Sequence, residues 1–218
     1  MATEKGTVKK TVLSAYSNIR RGGINAINLT AGDRLMEAKL SEGKNDIIIG
    51  TRNGMAIRIE ENKGRSMSRS AHGVRAIKLR EGDYVVSIAR VREGATLLTV
   101  TENGYGKRTE VNEYRLQSRG GKGIINIRTT QKIGDVSGIK QVTGEEDIML
   151  ISSTGNIIRL RVSELPILHR STQGVRLIEL GPEESLVGIA RVERETESRE
   201  DDSAEEETAP EETESAER

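Results

Sequence analysis

Residues 46–59 read Asp-Ile-Ile-Ile-Gly-Thr-Arg-Asn-Gly-Met-Ala-Ile-Arg-Ile, an apolar run and an alternating run joined by an Asn-Gly pair. An Asn-Gly pair between two such runs is typical of a tight β-hairpin. Residues 73–79 predict a third strand, and Gly82-Asp83 predicts a turn into a fourth strand over residues 84–91. This stretch therefore predicts a β-unit of four strands.

Two glycine-centred anchors show that this unit is repeated. The glycines of the first anchor lie 48, 50 and 51 residues apart, and those of the second lie 50, 50 and 51 residues apart. They are Gly6, Gly54, Gly104 and Gly155 for the first anchor, and Gly23, Gly73, Gly123 and Gly174 for the second. Two anchors with one period favour four copies of a unit over unrelated hairpins in a sandwich. We predict an all-β, propeller-like fold of four blades, each with about four antiparallel strands.

The predicted domain spans residues 1–192, with blades over approximately 1–45, 46–93, 94–143 and 144–192. The first blade is short at its start, so we expect the chain to begin inside a longer ancestor. Helical turns are expected only near residues 14–18 and 111–114. Residues 193–218 are rich in acids, Ser and Thr, a composition that predicts a disordered acidic tail.

Charge is distributed unevenly along the chain. Residues 1–192 carry a formal net charge of +10, and residues 193–218 carry −10. A basic body indicates a polyanionic partner, for which the acidic tail would compete. The absence of cysteine excludes disulfides and thiolate chemistry, and two histidines argue against a metal site. No segment reaches the length of a membrane span, and a cytoplasmic location is expected.

The loop Gln117-Ser118-Arg119-Gly120-Gly121-Lys122-Gly123 is suited to an anion, because flexible glycines expose backbone N–H groups beside two cations. It is not a Walker A loop, since Leu116 stands where a glycine is needed and Gly123 stands where Ser or Thr should follow the lysine. The pair Gly104 and Gly106 also fails as a dinucleotide motif, because Thr109 occupies the place of the third glycine.

Basic residues recur in each unit on the return strand of the hairpin and on the connection after it. Equivalent positions on blades around an axis form a ring, which fits a bent polyphosphate, although an ordinary solvated face is the simpler alternative. The predicted DNA-binding residues are Gln117, Arg119, Gly120, Gly121, Lys122, Gly123, Lys9, Lys10, Arg20, Arg21, Arg58, Arg65, Arg69, Lys107, Arg108, Arg159, Arg161 and Arg170. The chain has four tyrosines and no Phe or Trp, which argues against a base-stacking platform.

No catalytic constellation is predicted. Tyr16 and Tyr114 occupy corresponding places in their units, which indicates a packing role. His72 and His169 are predicted to lie at the surface, and no Ser/His/Asp set or carboxylate pair stands out.

Four segments of the chain resemble the C-terminal domain of the A subunit of bacterial DNA gyrase. They are residues 6–11 (Gly-Thr-Val-Lys-Lys-Thr), 52–58 (Arg-Asn-Gly-Met-Ala-Ile-Arg), 101–109 (Thr-Glu-Asn-Gly-Tyr-Gly-Lys-Arg-Thr) and 172–175 (Thr-Gln-Gly-Val). The resemblance implies a β-pinwheel, in which neighbouring blades exchange strands, and a role in wrapping double-stranded DNA for ATP-dependent negative supercoiling. It implies as partners the gyrase B subunit together with the rest of the A subunit, with ATP and Mg²⁺ bound elsewhere in the holoenzyme. No cofactor is expected in this chain, and the location would be cytoplasmic and nucleoid-associated, with no membrane contact.

The loop at residues 117–123 is similar to that family's box motif, Gln-Arg-Arg-Gly-Gly-Lys-Gly, with Ser118 in place of the first arginine. When the segments that flank the loop are aligned with that family, the four units resemble the last four of its approximately six blades. This loop therefore corresponds to a secondary box in the fifth blade. The family's principal box and its catalytic tyrosine have no counterpart here. Two alternatives remain at this stage: the homologous topoisomerase IV domain, and a propeller scaffold that binds proteins.

Overall fold

The computed structural model describes residues 1–193, and this part of the chain consists of short β-strands and three 3-10 helices. The strands, in chain order, are β1 (Ala2–Thr3), β2 (Thr7–Val8), β3 (Leu35–Glu37), β4 (Asp46–Thr51), β5 (Met55–Glu60), β6 (Val74–Arg75), β7 (Val85–Arg90), β8 (Thr96–Thr101), β9 (Tyr105–Glu110), β10 (Ile124–Ile125), β11 (Val136–Val142), β12 (Glu146–Ser152), β13 (Ile157–Arg161), β14 (Val175–Arg176) and β15 (Leu186–Glu193). The 3-10 helices are Leu13–Tyr16, Val111–Glu113 and Val162–Glu164. The first two confirm the expected helical turns, and the third was not predicted.

Within residues 1–193, four antiparallel sheets follow one another along the chain. Their strand orders are β3-β1-β2-β6, β10-β5-β4-β7, β11-β8-β9-β14 and β13-β12-β15. This arrangement confirms the predicted all-β fold of four blades. Within residues 1–193 no helix is long and apolar enough to span a membrane. The predicted tail lies outside the described residues, apart from Glu193.

The strands of one unit do not all lie in one sheet. The third strand of each later unit pairs with the return strand of the unit before it, so β6 pairs with β2, β10 with β5 and β14 with β9. The expectation that the four strands of a unit form one blade is therefore wrong in its pairing, whereas the exchange implied by the family resemblance is confirmed. The corresponding segment of the first unit, residues 23–27, forms no strand.

The Asn-Gly hairpin between β4 and β5 is present, but only its glycine adopts a left-handed conformation. Gly54 has a φ of 76° and donates its N–H to the Thr51 carbonyl at 3.1 Å. The Asp83 carboxylate of the later Gly-Asp turn accepts hydrogen bonds from Thr51 Oγ1 at 2.8 Å and from the Asn53 N–H at 3.0 Å. The two turns of this unit therefore stabilise each other.

The last unit replaces the Gly-Asp turn with a glutamate that has the same role. The Glu184 carboxylate accepts hydrogen bonds from Thr154 Oγ1, Asn156 Nδ2 and the Gly181 N–H. Hydrogen bonds from Ser152, Thr154 and Gly181 hold the pKa of Glu184 down, at about 2.

In the described part of the chain, the hydrophobic core consists of three clusters, and each contains side chains from two successive sheets. Ala2 and Ile57 belong to the first cluster, Ile48 and Leu97 to the second, and Leu98 and Leu150 to the third. Burial of these aliphatic side chains is the main force that joins neighbouring blades, at about 1.5–3 kcal/mol for each fully buried Leu or Ile.

Candidate nucleic-acid interface

The glycine-rich loop at residues 117–123 lies across the second blade rather than the third. The Gly120 N–H donates to the Ala76 carbonyl at 2.7 Å, and the Gln117 N–H donates to the Arg58 carbonyl at 2.9 Å. The Gly121 carbonyl accepts from the Lys78 N–H at 2.8 Å. These backbone bonds fix the loop just before its chain enters the exchanged strand β10.

Glycine is required at two positions of this loop, for a different structural reason at each. Gly123 has a φ of 72°, and a Cβ atom there would lie 2.6 Å from the Ala56 carbonyl oxygen. It is therefore required for the close approach of the exchanged strand. Gly120 has a φ of 78°, but a Cβ atom there would meet no atom within 4 Å. Its requirement is conformational, and its outer side faces open space.

The two cations of the loop are free at the surface. Arg119 and Lys122 are exposed and form no ion pair or side-chain hydrogen bond within residues 1–193. Arg119 lines a cleft together with Gln117, Arg75 and the ion pair of Lys63 with Glu60, whose charged atoms lie 2.9 Å apart. Cations from the second and third units thus converge on one cleft, as a phosphate chain requires. Gln117 is less accessible to a ligand than these cations, since its Nε2 atom is buried and has no partner in this part of the chain.

Lys9 and Lys107 lie in the interior, although both were predicted to bind DNA. Their exposed fractions are 2% and 0%. Lys9 Nζ donates to the carbonyls of Ala26 and Arg69, and Lys107 Nζ donates to the His169 carbonyl at 2.6 Å. Burial lowers the pKa of both, for Lys107 to about 8. Their ammonium groups are not available to a phosphate, and the prediction for these two residues is revised.

The sequence contained a signal for this burial. Lys9 and Lys107 each stand three residues after a first-anchor glycine, and the same place holds Ile57 and Ile158 in the other two units. Because side chains alternate along a strand, a position that is apolar in two units faces the core in all four. Recurrence of charge alone did not reveal the inward direction.

The residue after this position is a cation in all four units, and in the first three units it binds the following unit. Lys10 Nζ donates to the Glu61 carbonyl at 2.9 Å, and Arg108 Nε donates to the Leu165 carbonyl at 2.8 Å. Arg58 Nη1 donates to the carbonyls of Val111 at 3.1 Å and Tyr114 at 3.3 Å. These three cations therefore hold neighbouring units together.

Arg159 is the fourth residue at this position, and it has no following unit to bind within residues 1–193. Its guanidinium contacts Asp147 at 2.7 Å, and its side chain is 52% exposed. Arg161, two residues later, is also exposed and lies 3.7 Å from Glu164. Both remain within reach of a ligand on the outer side of the last blade.

Arg69 and Arg170 occupy the place that Arg119 has in the third unit. Arg69 Nη1 donates to the Asn25 carbonyl and Arg170 Nη1 to the Ile125 carbonyl, each at 3.1 Å. Both arginines thus hold the third segment of the preceding unit. Arg119 forms no such bond in the described part of the chain, which leaves its guanidinium available.

Other predicted contacts lie at the surface of the first two units. Arg20, Arg21 and Arg65 are exposed, and none has a side-chain partner within residues 1–193. Sequence reasoning missed Arg75, an exposed residue of the exchanged strand β6. The signal for it was the Val-Arg pair that recurs as Val175-Arg176 in the last unit.

Tyr114 confirms its predicted packing role. Its ring is fully buried, and its hydroxyl donates to Asn126 Oδ1 at 2.5 Å. Asn126 Nδ2 in turn donates to Thr99 Oγ1 at 3.0 Å. Burial raises the pKa of the Tyr114 hydroxyl above its ordinary value, so this group stays protonated inside the core.

Each of the four repeat units matches a known protein family. The family of DNA gyrase C-terminal domains, described as a β-propeller, matches residues 1–41, 45–92, 95–143 and 146–193. The DNA gyrase A protein of Halalkalibacterium halodurans is 55% identical over 193 residues, which cover 88% of this chain and 23% of that protein. The Escherichia coli gyrase A protein is 41% identical over 192 residues, which cover 88% of this chain and 22% of that protein. The chain thus spans less than a quarter of the length of these relatives.

Solved structures of similar domains superimpose on most of the chain. The C-terminal domain of DNA topoisomerase IV matches with a TM-score of 0.82 and 25% identity, over 88% of this chain and 60% of that one. The C-terminal domain of DNA gyrase A matches with a TM-score of 0.80 and 25% identity, over 88% of this chain and 64% of that one.

Proposed function

The chain belongs to the family of DNA gyrase C-terminal domains, and from that premise we propose that its blades bind and wrap double-stranded DNA. In this proposal the wrapped DNA supports ATP-dependent negative supercoiling by a gyrase holoenzyme. The partners are the gyrase B protein and the remainder of the gyrase A protein, and the location is the nucleoid. ATP and Mg²⁺ act in other parts of that assembly.

The observation that carries the proposal is the free charge of the loop at residues 117–123. Arg119 and Lys122 are exposed and unpaired within residues 1–193, and Arg119 shares a cleft with Arg75. Exposed cations on the other blades, among them Arg20, Arg65 and Arg161, extend the same chemistry along the repeat. Lys9, Lys107 and the clamping cations give the blades their shape and do not touch DNA.

Binding of this kind is electrostatic and depends little on base sequence. Lysine and arginine neutralise phosphates and release counterions, while four tyrosines, one of them in the core, offer no stacking platform. Bending a site of 20–30 base pairs costs on the order of 1–6 kcal/mol, which the added phosphate contacts offset. Deformability of the DNA then sets any preference among sequences.

The homologous domain of topoisomerase IV is the second candidate, because its solved structure superimposes on 88% of this chain. The curated relatives described above are gyrase A proteins at 41–55% identity, and they favour gyrase. A protein-binding scaffold is the candidate from a different class, and it predicts no strong dependence of DNA affinity on salt.

A salt titration tests the proposal. DNA affinity of the chain is measured by fluorescence anisotropy on duplexes of unrelated sequence at several salt concentrations. We expect a steep linear fall of log K with log salt, with a slope of about −0.9 per neutralised phosphate, and similar affinity for the different duplexes. Affinity that hardly changes from low to moderate salt would contradict DNA wrapping and favour the scaffold.

A further inference from the structure

The loop before each second-anchor glycine lies along the preceding unit in a constant register. The carbonyl two residues before that glycine accepts the N–H of the residue five positions after the preceding second-anchor glycine. The three observed bonds are Asn28 N–H to the Ala71 carbonyl at 3.4 Å, Lys78 N–H to the Gly121 carbonyl at 2.8 Å, and Arg128 N–H to the Thr172 carbonyl at 3.1 Å. We call each such contact between two units a junction.

This register brings four side-chain positions of two units together at every junction. The preceding unit provides the second and fifth residues after its second-anchor glycine, and the following unit provides the fourth and first residues before its own. At the junction of the second and third units, Ile77 and Gly121 form a parallel bridge. Backbones paired in this way lie about 4.8 Å apart, so exposed side chains from both share one patch of surface.

All four positions at the junction of the second and third units hold free cations. Arg75 and Lys78 belong to the second unit, and Arg119 and Lys122 belong to the third. Each of these side chains is exposed, and none forms an ion pair or a side-chain hydrogen bond within residues 1–193. The backbone bond of Lys78 to Gly121 places this lysine beside the glycine-rich loop, and the spacing of charges in the sequence had not identified it.

The other two junctions of the described chain lack this concentration of charge. Their four positions hold, in the same order, Asn25, Asn28, Arg69 and His72 at the first junction, and Ile125, Arg128, Arg170 and Gln173 at the third. Arg69 and Arg170 each donate a guanidinium N–H to a carbonyl of the preceding unit. Among the lysines and arginines of these two junctions, only Arg128 has no side-chain partner within residues 1–193. The same backbone register therefore holds four free cations at one junction and at most one at each of the others.

The four cations also lack an acidic neighbour that could neutralise them. Among the described residues that line the cleft of Arg75 and Arg119, the acid is Glu60, and it already pairs with Lys63 at 2.9 Å. Like charges that are held close together repel one another, and the four side chains form no polar contact in the described chain that offsets this repulsion. A bound polyanion removes the repulsion and gives each cation a partner.

We propose that the junction of the second and third units is one composite phosphate-binding site for duplex DNA. Arg75 and Lys78 supply half of its charge from the second unit, and Arg119 and Lys122 supply the other half from the third. The inference rests on the proposed function, and it extends that function from the glycine-rich loop to the segment on which the loop lies. The site exists only while the two units are joined, because the backbone bonds of Lys78 and Gly120 hold its halves together.

The test removes the two cations of the second unit and compares them with a matched pair. The site variant is Arg75→Gln with Lys78→Gln, and the control is Arg80→Gln with Lys44→Gln. Arg80 and Lys44 are also exposed and without side-chain partners within residues 1–193, but they lie outside the four positions. Affinity for one duplex is measured by fluorescence anisotropy at several salt concentrations, after circular dichroism has confirmed that each variant is folded. A third variant combines the site variant with Arg119→Gln and Lys122→Gln.

We expect the site variant to raise the dissociation constant at about 0.1 M salt by at least about tenfold, and to make the salt slope shallower by about 0.9 for each phosphate contact that is lost. The control should change the dissociation constant by less than about threefold. In the combined variant, the two pairs should weaken binding by less than the product of their separate effects, because they act on the same phosphates.

Three results would overturn the composite site. If the site variant binds like the control while the wild-type chain keeps its steep salt dependence, the second unit does not contribute, and the proposed function stands. Effects of the two pairs that multiply fully would show two separate contacts in place of one site. A wild-type chain that does not bind the duplex would overturn the proposed function together with this inference.

Discussion

The basic residues of the described chain are of three kinds, although in the sequence all of them appear only as charges that recur with the repeat. Lys107 is buried and bonded to a carbonyl, Arg58 clamps the next unit, and Arg119 is free at the surface of the described chain. Only the last kind can gain a phosphate without losing an internal hydrogen bond. Net charge therefore indicates the class of partner, whereas burial distinguishes the cations that are free to contact it.

Reversing the two free charges of the glycine-rich loop tests that distinction. We expect Arg119→Glu with Lys122→Glu to weaken DNA binding and to make the salt slope shallower by about two phosphate contacts, or roughly 1.8. The control is Arg34→Glu with Lys132→Glu, which changes the net charge equally. Arg34 pairs with Glu4, and Lys132 lies over the ring of Tyr105, both at the turn end of their blades. Equal effects of the two double variants would show that only overall charge matters.

The buried Lys107 predicts a distinct pH dependence of stability. Burial lowers the pKa of Lys107 to about 8, from 10.5 in the unfolded chain, so the unfolded state binds more protons between these values. The cost of burying the charge is present below pH 8 and disappears as the pH rises toward 10.5.

Lys107→Met removes this titratable group while preserving most of the side-chain volume. Between pH 8 and 10.5, the melting temperature of the wild type should rise relative to that of Lys107→Met. Parallel curves for the two proteins across this range would contradict the assignment.

At the scale of elements, the exchanged strands were the part that the sequence predicted least well. Alternation and turn residues located β4, β5 and β7, because each has enough residues to show a period. The exchanged strands have two residues each, and their partners lie in the preceding unit. No local pattern encodes that choice. The remaining clue was the glycine before each strand, which a close carbonyl contact requires.

The candidate site was predicted to a similar depth. The loop at residues 117–123 was located by its composition, and Arg119 and Lys122 lie exposed in it. The charges alone did not predict which basic side chains point into the protein or which of them bind the next unit. Whether Arg58 or Arg108 points outward depends on carbonyl groups more than fifty residues away, which become neighbours only when the blades assemble.

The clamping role predicts unequal effects for two equivalent arginines. Arg58→Ala should lower the free energy of unfolding by about 2–3 kcal/mol, because it removes charge-assisted bonds to two carbonyls of the next unit. Arg159→Ala should cost less than Arg58→Ala, because each arginine pairs with an aspartate of its own sheet, Asp46 or Asp147, but Arg159 binds no carbonyl of a following unit within residues 1–193.

Urea denaturation of both arginine variants provides the measurement. A loss for Arg159→Ala as large as that for Arg58→Ala would contradict the inter-blade role of these cations.

At the scale of the whole molecule, the blades form a repeat in which each junction is built in the same way. A core cluster, an exchanged strand and a clamping cation join each pair of successive sheets. The exposed cations of successive units, among them Arg20, Arg65, Arg119 and Arg161, are thereby held in one series along the repeat. Such a series suits a polymer with a regular spacing of charge, and duplex DNA carries about one phosphate per 1.7 Å of its axis.

The linking number of DNA bound by the chain tests wrapping most directly. Closed circular DNA is relaxed by a type I topoisomerase with increasing amounts of the chain, and its topoisomers are resolved after the protein is removed. Wrapping predicts a displacement of the topoisomer distribution that grows with the amount bound and is reduced by Arg119→Glu with Lys122→Glu. A distribution that stays unchanged when the DNA is saturated with the chain would contradict it.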